Sequence, residues 1–504
     1  MEIQRLQMPI NSANDKTDNK ENVSKKFSMA TKIKACLVSS IAQELEIESN
    51  EVNVTIPFER YGLDSSTTIS IIADLENCIG REIELDLLFD YPTIETLARY
   101  LAEKDEHLKS HTAYYYELDR RKQSLKRQGN YFLETELSEC SDSWVIAEDK
   151  RMLMLSSYSY LGLLNHPEIN EAAKTAIDTF GTGSHGVRLT AGTTILHRQL
   201  ERKMANFFNS DDAIVYNSGY VTNFSTISAL VKKGDCVIGD EFNHASIVDG
   251  CHMSGAKFLT FKHNDMTSLK QQLVESGSRR TLVVVDGVYS MEGDIANLPD
   301  IVELCKQFNA MLMVDEAHSL GVLGETGRGV QEHFNLKQDA IDVKMGTLSK
   351  TIPSSGGVIA GKKEIISYLK SHARGYIFSF ALSPAQVAAA LKSIEIIKHE
   401  PQRVTKLQHN TQRFVNGLKS FGFDVLNTQT PIVPIMCGSE KITFDMTRLC
   451  REYGLFVTPV FYPAVPINAP RIRACVSAMH SDEDINFALN ILKKSAKKIE
   501  LIYA

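Results

Sequence analysis

Beyond Tyr131, four short apolar runs, "AIVYNSGY", "TLVVVDGVYS", "MLMVDEAH" and "DVKMGTLSK", alternate with amphipathic stretches. That texture predicts a parallel sheet covered by helices, because strands buried on both faces read as near-continuous apolar runs. Each run ends in polar or small residues, and ligands in such sheets collect at the carboxyl ends of the strands. Four strand ends are therefore expected to converge on one crevice. From about Ser383 the helix-like "PAQVAAALKSIEIIK" opens a region of mixed character, read as a second lobe. The expected α/β unit is residues 131–504, with a large domain to about 382 and a small lobe over 383–504.

The chain ahead of this unit has a different texture. Residues 1–28 are rich in Asn, Lys, Asp and Ser, cannot bury enough apolar surface to offset chain entropy, and are read as a disordered lead. Ile33, Leu37, Ile41 and Leu45 then recur every four residues, which predicts a helix ending near Glu46. "GLDSSTTISIIADLE" opens a second helix reaching about Asn77, and "LDLLFDYPTIETLARYLAE" closes a small all-α unit over residues 29–105. The charged stretches "KDEHLKSH" and "RRKQSLKR" suit an exposed linker or linking helix over 106–130.

Charge narrows the function. A formal net charge of −7 argues against a nucleic-acid binder, which normally carries a basic stripe. No run approaches the eighteen or so apolar residues of a membrane span. Nine cysteines without a CxxC pair, and no export-type leader, predict a reduced, cytoplasmic protein.

Three strand ends carry chemistry. Lys350 in "MGTLSKTIPSSGG" follows an apolar strand and precedes a glycine-bearing turn. Desolvation there would lower its pKa, and a neutral amine is what Schiff-base formation requires. Asp315 ends "MLMVDEAH", where a buried carboxylate needs a cationic partner. A protonated pyridine nitrogen would serve, as it does where a protein uses pyridoxal phosphate as an electron sink. "NSGYVTN", residues 217–223, follows a strand and opens a helix whose free N–H groups could hold a phosphate, with Gly219 permitting close approach.

From about Tyr158 to Asp484 the chain resembles the α-oxoamine synthases, fold-type I pyridoxal-phosphate enzymes that include 8-amino-7-oxononanoate synthase, 5-aminolevulinate synthase and serine palmitoyltransferase. The resemblance rests on ten ordered blocks, among them "GTGSHGVRLTAGTTILHRQLE", "DEFNHASIVDG", "DGVYSMEGDIANL", "VDEAHSLGVLGETGRGV", "GTLSKTIPSSGG" and "RIRACVSAMHSDEDI". It implies that Lys350 forms the Schiff base and moves protons at the substrate α-carbon, and that Asp315 pairs with the pyridine nitrogen. It places His244 flat against the cofactor ring, His318 at the ring hydroxyl, and Ser290 beside the cofactor. Gly219, Tyr220 and Thr347 would hold the phosphate, with Ser379 contributed by the neighbouring subunit of a homodimer. Arg473 is chosen for the substrate carboxylate because guanidinium geometry suits one, with Arg471 as the fallback. His185 and His480 are read as packed core residues. Two positions depart from the family pattern: Tyr158 stands where an asparagine is common, and Asp286 where a glutamate is frequent.

The first unit resembles the acyl carrier proteins, a four-helix fold, through "GLDSSTTISIIADLE" and the following "LDLLFDYPTIETLARYL". The resemblance implies that Ser65 bears 4′-phosphopantetheine, installed by a phosphopantetheinyl transferase, with a further acyl-loading enzyme as a candidate partner. A helix N-terminus suits an attached phosphate. The implied whole is a carrier fused to a decarboxylating C-acyltransferase that joins an amino acid (glycine, alanine or serine) to an acyl thioester, giving an α-amino ketone. The alternatives are an aminotransferase of the same fold and a non-catalytic carrier scaffold.

Overall fold

The computed structural model describes residues 15–45, 47–61, 65–80, 83, 87–107, 111–140, 143–277 and 280–502. The chain divides into two compact units, Met1–Leu133 with Tyr462–Asn468, and Glu134–Phe461 with Ala469–Ala504. Among the described residues no helix is long and apolar enough to cross a membrane.

In the first unit, helices span Asp15–Glu44, Ser65–Ile79, Leu87–Asp90 and Ile94–His107. The every-fourth-residue stripe of Ile33, Leu37 and Ile41 is buried against Ile71, Ile72 and Leu75 of the second helix and Ile94, Leu97 and Leu101 of the fourth. Two polar clips fix the register of the first helix: Lys34 Nζ lies 3.0 Å from Glu95 Oε1, and Ser40 Oγ donates to Asp74 Oδ2 at 2.9 Å. The first helix begins at Asp15, inside the segment read from sequence as a disordered lead. Its apolar stripe supplies the nucleus, and adding polar turns to a helix already nucleated costs little. Residues 1–14 lie outside the described residues, as do 62–64 of the Gly-Leu-Asp motif and the side chain of Ser65, the first residue of its helix.

The linking segment is a helix, His111–Arg127, and it is tied down. Arg120 Nη1 donates to Tyr100 Oη at 2.7 Å, and its guanidinium lies 5.1 Å from the ring of Tyr100, which stacks on Tyr91 at 4.2 Å.

The second unit is built on a seven-stranded sheet in the order Asp212–Tyr216, Pro353–Gly361, Val343–Ser349, Met311–Asp315, Thr281–Asp286, Cys236–Asp240, Lys257–Phe261. Pro353–Gly361 runs antiparallel to both neighbours and the other pairings are parallel. The four runs read from sequence are four of these strands. All their carboxyl ends fall on one edge, which receives Asp286 and Asp315 in direct register. Every residue of Thr281–Asp286 is buried, which accounts for its unbroken apolar reading.

The lobe boundaries differ from the sequence reading in two places. Helix Pro384–His399 packs Val387, Ala390, Ile394 and Ile397 into the core of the large sheet, so the large domain extends beyond 382. The small lobe is discontinuous. Strands Trp144–Ala147 and Lys150–Met154 form a hairpin whose second strand pairs in parallel with Leu455–Phe456. Leu153 and Leu155 share a core with Phe414, Ile435, Ile472 and Leu489. A pairing across some three hundred residues leaves no local signature in the sequence. A three-stranded sheet, Ile432–Met436, Arg471–Cys475 and Pro459–Val460, completes this lobe and carries both candidate arginines.

Truncating Leu75→Ala should cost the helical unit about 2–5 kcal/mol, as for other buried leucines. The readout is amide-exchange protection across residues 70–102 in the full chain. Unchanged protection would contradict a core shared by these helices.

Candidate active site

Lys350 leaves the end of strand Val343–Ser349, where the backbone of a buried strand fixes its starting point. Its Nζ lies 2.7 Å from His318 Nε2, and His318 Nδ1 lies 2.8 Å from the buried Tyr160 hydroxyl. Burial, then the charges of Lys350 and Arg473, push His318 well below the usual histidine range. A neutral imidazole has one N–H. With Nε2 accepting from the Lys350 amine, the Nδ1 proton goes to the Tyr160 oxygen. Burial also lowers Lys350 to about 8, with Arg473 acting in the same direction and Asp315 opposing it.

Asp315, buried at the end of its strand, accepts from Asn223 Nδ2 at 2.6 Å and from the backbone N–H of Ala317 at 2.8 Å. Asn223 also donates to Ser246 Oγ at 3.0 Å, and its own Oδ1 is buried without a partner among the described residues. His244 caps the helix Ala245–Ser254, its Nδ1 accepting from the Ser246 N–H at 3.2 Å. The imidazole is thereby held as the Nε2–H tautomer, and it lines the cavity. Burial, ahead of the Lys350 charge, lowers its pKa. Asp286 accepts from the His244 N–H at 2.9 Å. Burial and then the neighbouring Asp315 raise the Asp286 carboxyl well above the usual range.

Helix Gly219–Leu230 starts in the same cavity, and its first-turn N–H groups have no partner within the helix. A Cβ at residue 219 would come within 2.8 Å of Thr347 Oγ1, so glycine lets the helix start approach Thr347 this closely and sets both at the cavity wall. Tyr220 hydrogen-bonds Asp249 through its hydroxyl and adds its backbone to the cradle. These elements enclose about 210 Å³, lined among others by Ser290, Asp315, His318, Thr347 and Lys350. An amine, a buried carboxylate in register with the strand ends and a glycine-lined N–H cradle fit pyridoxal phosphate. The orphaned Asn223 carbonyl shows that the polar network beside Asp315 is incomplete in the protein alone.

Arg473 reaches the site from the small lobe. Its Nε donates to the Ser290 carbonyl at 2.6 Å and Nη1 to Cys475 Sγ at 3.0 Å, leaving Nη2 buried without a hydrogen-bond partner among the described residues. Its guanidinium lies 4.9 Å from the ring centre of Tyr158, which is itself 5.7 Å from Lys350 Nζ. Arg471, the fallback, is consumed by Glu292 Oε1 and the Met291 carbonyl, each at 3.1 Å.

The structure thus brings Lys350, Asp315, His244, His318, Gly219, Tyr220, Ser290 and Thr347 to one cavity, with Arg473 held to Ser290. Ser379 lies apart, in a small separate cavity with Arg188 and Asn217. His480 is the packed residue expected, its Nδ1 accepting from the Ser477 N–H at 3.1 Å. His185 is not: it is exposed in the loop after Gly183. Sequence reasoning overlooked Asn223, Ser246 and Tyr160, although all three fall inside or beside motifs it quoted.

A mixed sheet of this order, with a half-buried lysine and a buried aspartate at adjacent strand ends, defines a fold-type I pyridoxal-phosphate transferase. The family profile for aminotransferase class I and II matches residues 150–492, and that for a phosphopantetheine attachment site matches residues 37–101. The 8-amino-7-oxononanoate synthase of Thermosipho melanesiensis is 42% identical over 379 residues, covering 75% of this chain and 97% of its own. That of Petrotoga mobilis is 42% identical over 389 residues, covering 77% and 99%. Among solved structures, serine palmitoyltransferase of S. paucimobilis with a bound PLP–myriocin aldimine superposes with a TM-score of 0.76 at 31% identity, over 78% of this chain and all (100%) of that one. The chain belongs to the aminotransferase class I and II family, and within it to the α-oxoamine synthases, which are C-acyltransferases. Its cofactors are pyridoxal 5′-phosphate and, on the carrier segment, 4′-phosphopantetheine.

Competitive labelling of the cofactor-free protein with trace acetic anhydride should titrate Lys350 with a midpoint near pH 8, the amine becoming reactive as it loses its proton. A midpoint near the ordinary lysine value of about 10.4 would contradict the burial argument.

Proposed function

We propose that this protein condenses a small amino acid with an acyl group delivered on its own Ser65-linked arm. The observation that supports this best is a half-buried lysine near a guanidinium whose remaining N–H₂ has no hydrogen-bond partner among the described residues, in a chain that also carries a phosphopantetheine attachment segment.

Pyridoxal phosphate, when bound, supplies the electron sink that makes the substrate α-proton acidic. Asp315 would hold the pyridine nitrogen protonated, His244 would cover one face of the ring, and His318 would reach the ring hydroxyl. Gly219, Tyr220 and Thr347 would hold the phosphate. Ser379, away from the cavity of its own chain, would join the phosphate site of a second copy in a homodimer. Arg473 Nη2 would bind the amino-acid carboxylate. Lys350, whose burial brings it down to about 8 and so eases loss of its proton, takes the α-proton and later returns one. Between those steps a bond forms from the α-carbon to the thioester carbonyl, the C–S bond breaks with a proton going to the thiolate, and the carboxyl group leaves as carbon dioxide.

Residues 29–105 are assigned as the carrier and 131–504 as the synthase, with the helix His111–Arg127 in the connecting segment. Ser65 would be modified by a phosphopantetheinyl transferase and charged by an acyl-loading enzyme. Tethering raises the local thioester concentration to about millimolar for a short flexible connection, without any new contact.

With a thioester and glycine, alanine or serine, the loaded protein should release thiol, carbon dioxide and ketone in equal amounts, and Lys350→Ala should slow this by about 10³-fold or more. Formation of an oxo acid without carbon dioxide would identify an aminotransferase instead. Ser65→Ala should lack the mass of the phosphopantetheine arm and turn over only free thioesters. Full activity of that variant with carrier-bound donors would overturn the role of Ser65.

A further inference from the structure

His263 follows the edge strand Lys257–Phe261 and has no place in the reaction described above. Its Nδ1 lies 3.0 Å from Asp240 Oδ1 and its Nε2 lies 2.9 Å from Asp294 Oδ2. Both oxygens can only accept while ionised, so both ring nitrogens must carry protons and the ring is an imidazolium. Phe242 stacks on one face at 4.5 Å and Tyr289 meets it edge-on at 4.4 Å, which leaves little room for water. Burial opposes the charge and the two carboxylates outweigh it, pushing the imidazole up to about 10. The other charged groups around it are Glu241, which accepts from the His263 N–H at 2.8 Å, and Glu292, which is paired with Arg471.

The next residue repeats the connection. Asn264 donates its backbone N–H to Asp240 Oδ2 at 2.9 Å and its amide to Asp294 Oδ2 at 3.0 Å and the Ile295 carbonyl at 3.2 Å. Residues 263–264 therefore stitch the end of strand Cys236–Asp240 to the turn after strand Thr281–Asp286. That turn is closed by Tyr289 N–H to the Asp294 carbonyl at 3.1 Å. Its far side is pressed on the small lobe: Gly293 has φ 72°, and a Cβ there would lie 2.0 Å from the Ile432 carbonyl.

At the site the turn presents the Ser290 carbonyl, which takes Arg473 Nε at 2.6 Å. With Nη1 on Cys475, that bond sets the direction in which the unpartnered Nη2 points. We infer that His263 is a positioning residue for amino-acid binding: its imidazolium clamps Asp240 to Asp294, and the clamped turn aims Arg473 through the Ser290 carbonyl. Without the cation, two carboxylates face each other in a poorly hydrated place, and their repulsion falls on the turn. The inference rests on the assignment of Arg473 to the substrate carboxylate.

The test is steady-state kinetics of the cofactor-loaded, phosphopantetheinylated protein with both substrates varied, comparing His263→Gln, Asp294→Asn, Arg473→Lys and the double variant His263→Gln/Arg473→Lys. His263→Gln should raise the amino-acid KM by about tenfold while kcat and the thioester KM stay within about threefold. Asp294→Asn, which keeps a hydrogen-bond acceptor, should move the same constant in the same direction by less. In the Arg473→Lys background His263→Gln should add little, since both changes act on one contact. An unchanged amino-acid KM in His263→Gln and Asp294→Asn, with a raised one in Arg473→Lys, would overturn the inference alone. Equal rises in both KM values, or a fall confined to kcat, would also overturn it. An unchanged amino-acid KM in Arg473→Lys would instead overturn the carboxylate assignment beneath it.

Discussion

A carboxylate delivered to the buried end of a parallel strand has to be met by hydrogen bonds and positive charge, and Asp315 imposes that requirement on everything around it. The protein supplies two donors, the Asn223 amide and the Ala317 N–H. It then sets cations nearby, none of them, among the described residues, paired directly to the carboxylate. Asp286, in register on the next strand, is pushed toward its neutral form. Lys350 is held by neutral His318 and kept poised to lose its proton. The site thus carries more attraction for a cationic ring nitrogen than the protein itself satisfies, which is the electrostatic preparation that pyridoxal-phosphate chemistry needs.

The sequence exposed the large sheet because strands covered on both faces must be apolar throughout and can turn polar only where they leave the core. Lys350, Asp315 and the Gly219 turn all sit at such exits, so the same rule that revealed the strands revealed the site. Tyr160 and Asn223 escaped notice because their importance is a matter of direction: a tyrosine hydroxyl aimed at His318 Nδ1 and an asparagine amide aimed at Asp315. Nothing in residue type or spacing specifies either direction.

Long-range pairing was equally hidden. The hairpin Trp144–Met154 joins the small lobe through Leu455–Phe456, and helix Pro384–His399 belongs to the large core by the residues it buries, not by its place in the order. The helix from Asp15 shows a related limit. Composition reports what a segment can bury, whereas a polar segment can be helical when the nucleus lies downstream. In the helical unit, by contrast, the stripe of Ile33, Leu37 and Ile41 identified its own buried face.

The proposed union of a Ser65-linked thioester carrier with the synthase is most directly examined in one turnover. Phosphopantetheinylated protein, acyl-loaded on Ser65 and freed of other thioesters, is mixed with the amino acid and followed by intact-protein mass spectrometry. The expected result is loss of the acyl mass from the carrier with matching release of carbon dioxide and ketone. Retention of that acyl mass, with ketone appearing only after a coenzyme A thioester is added, would contradict it.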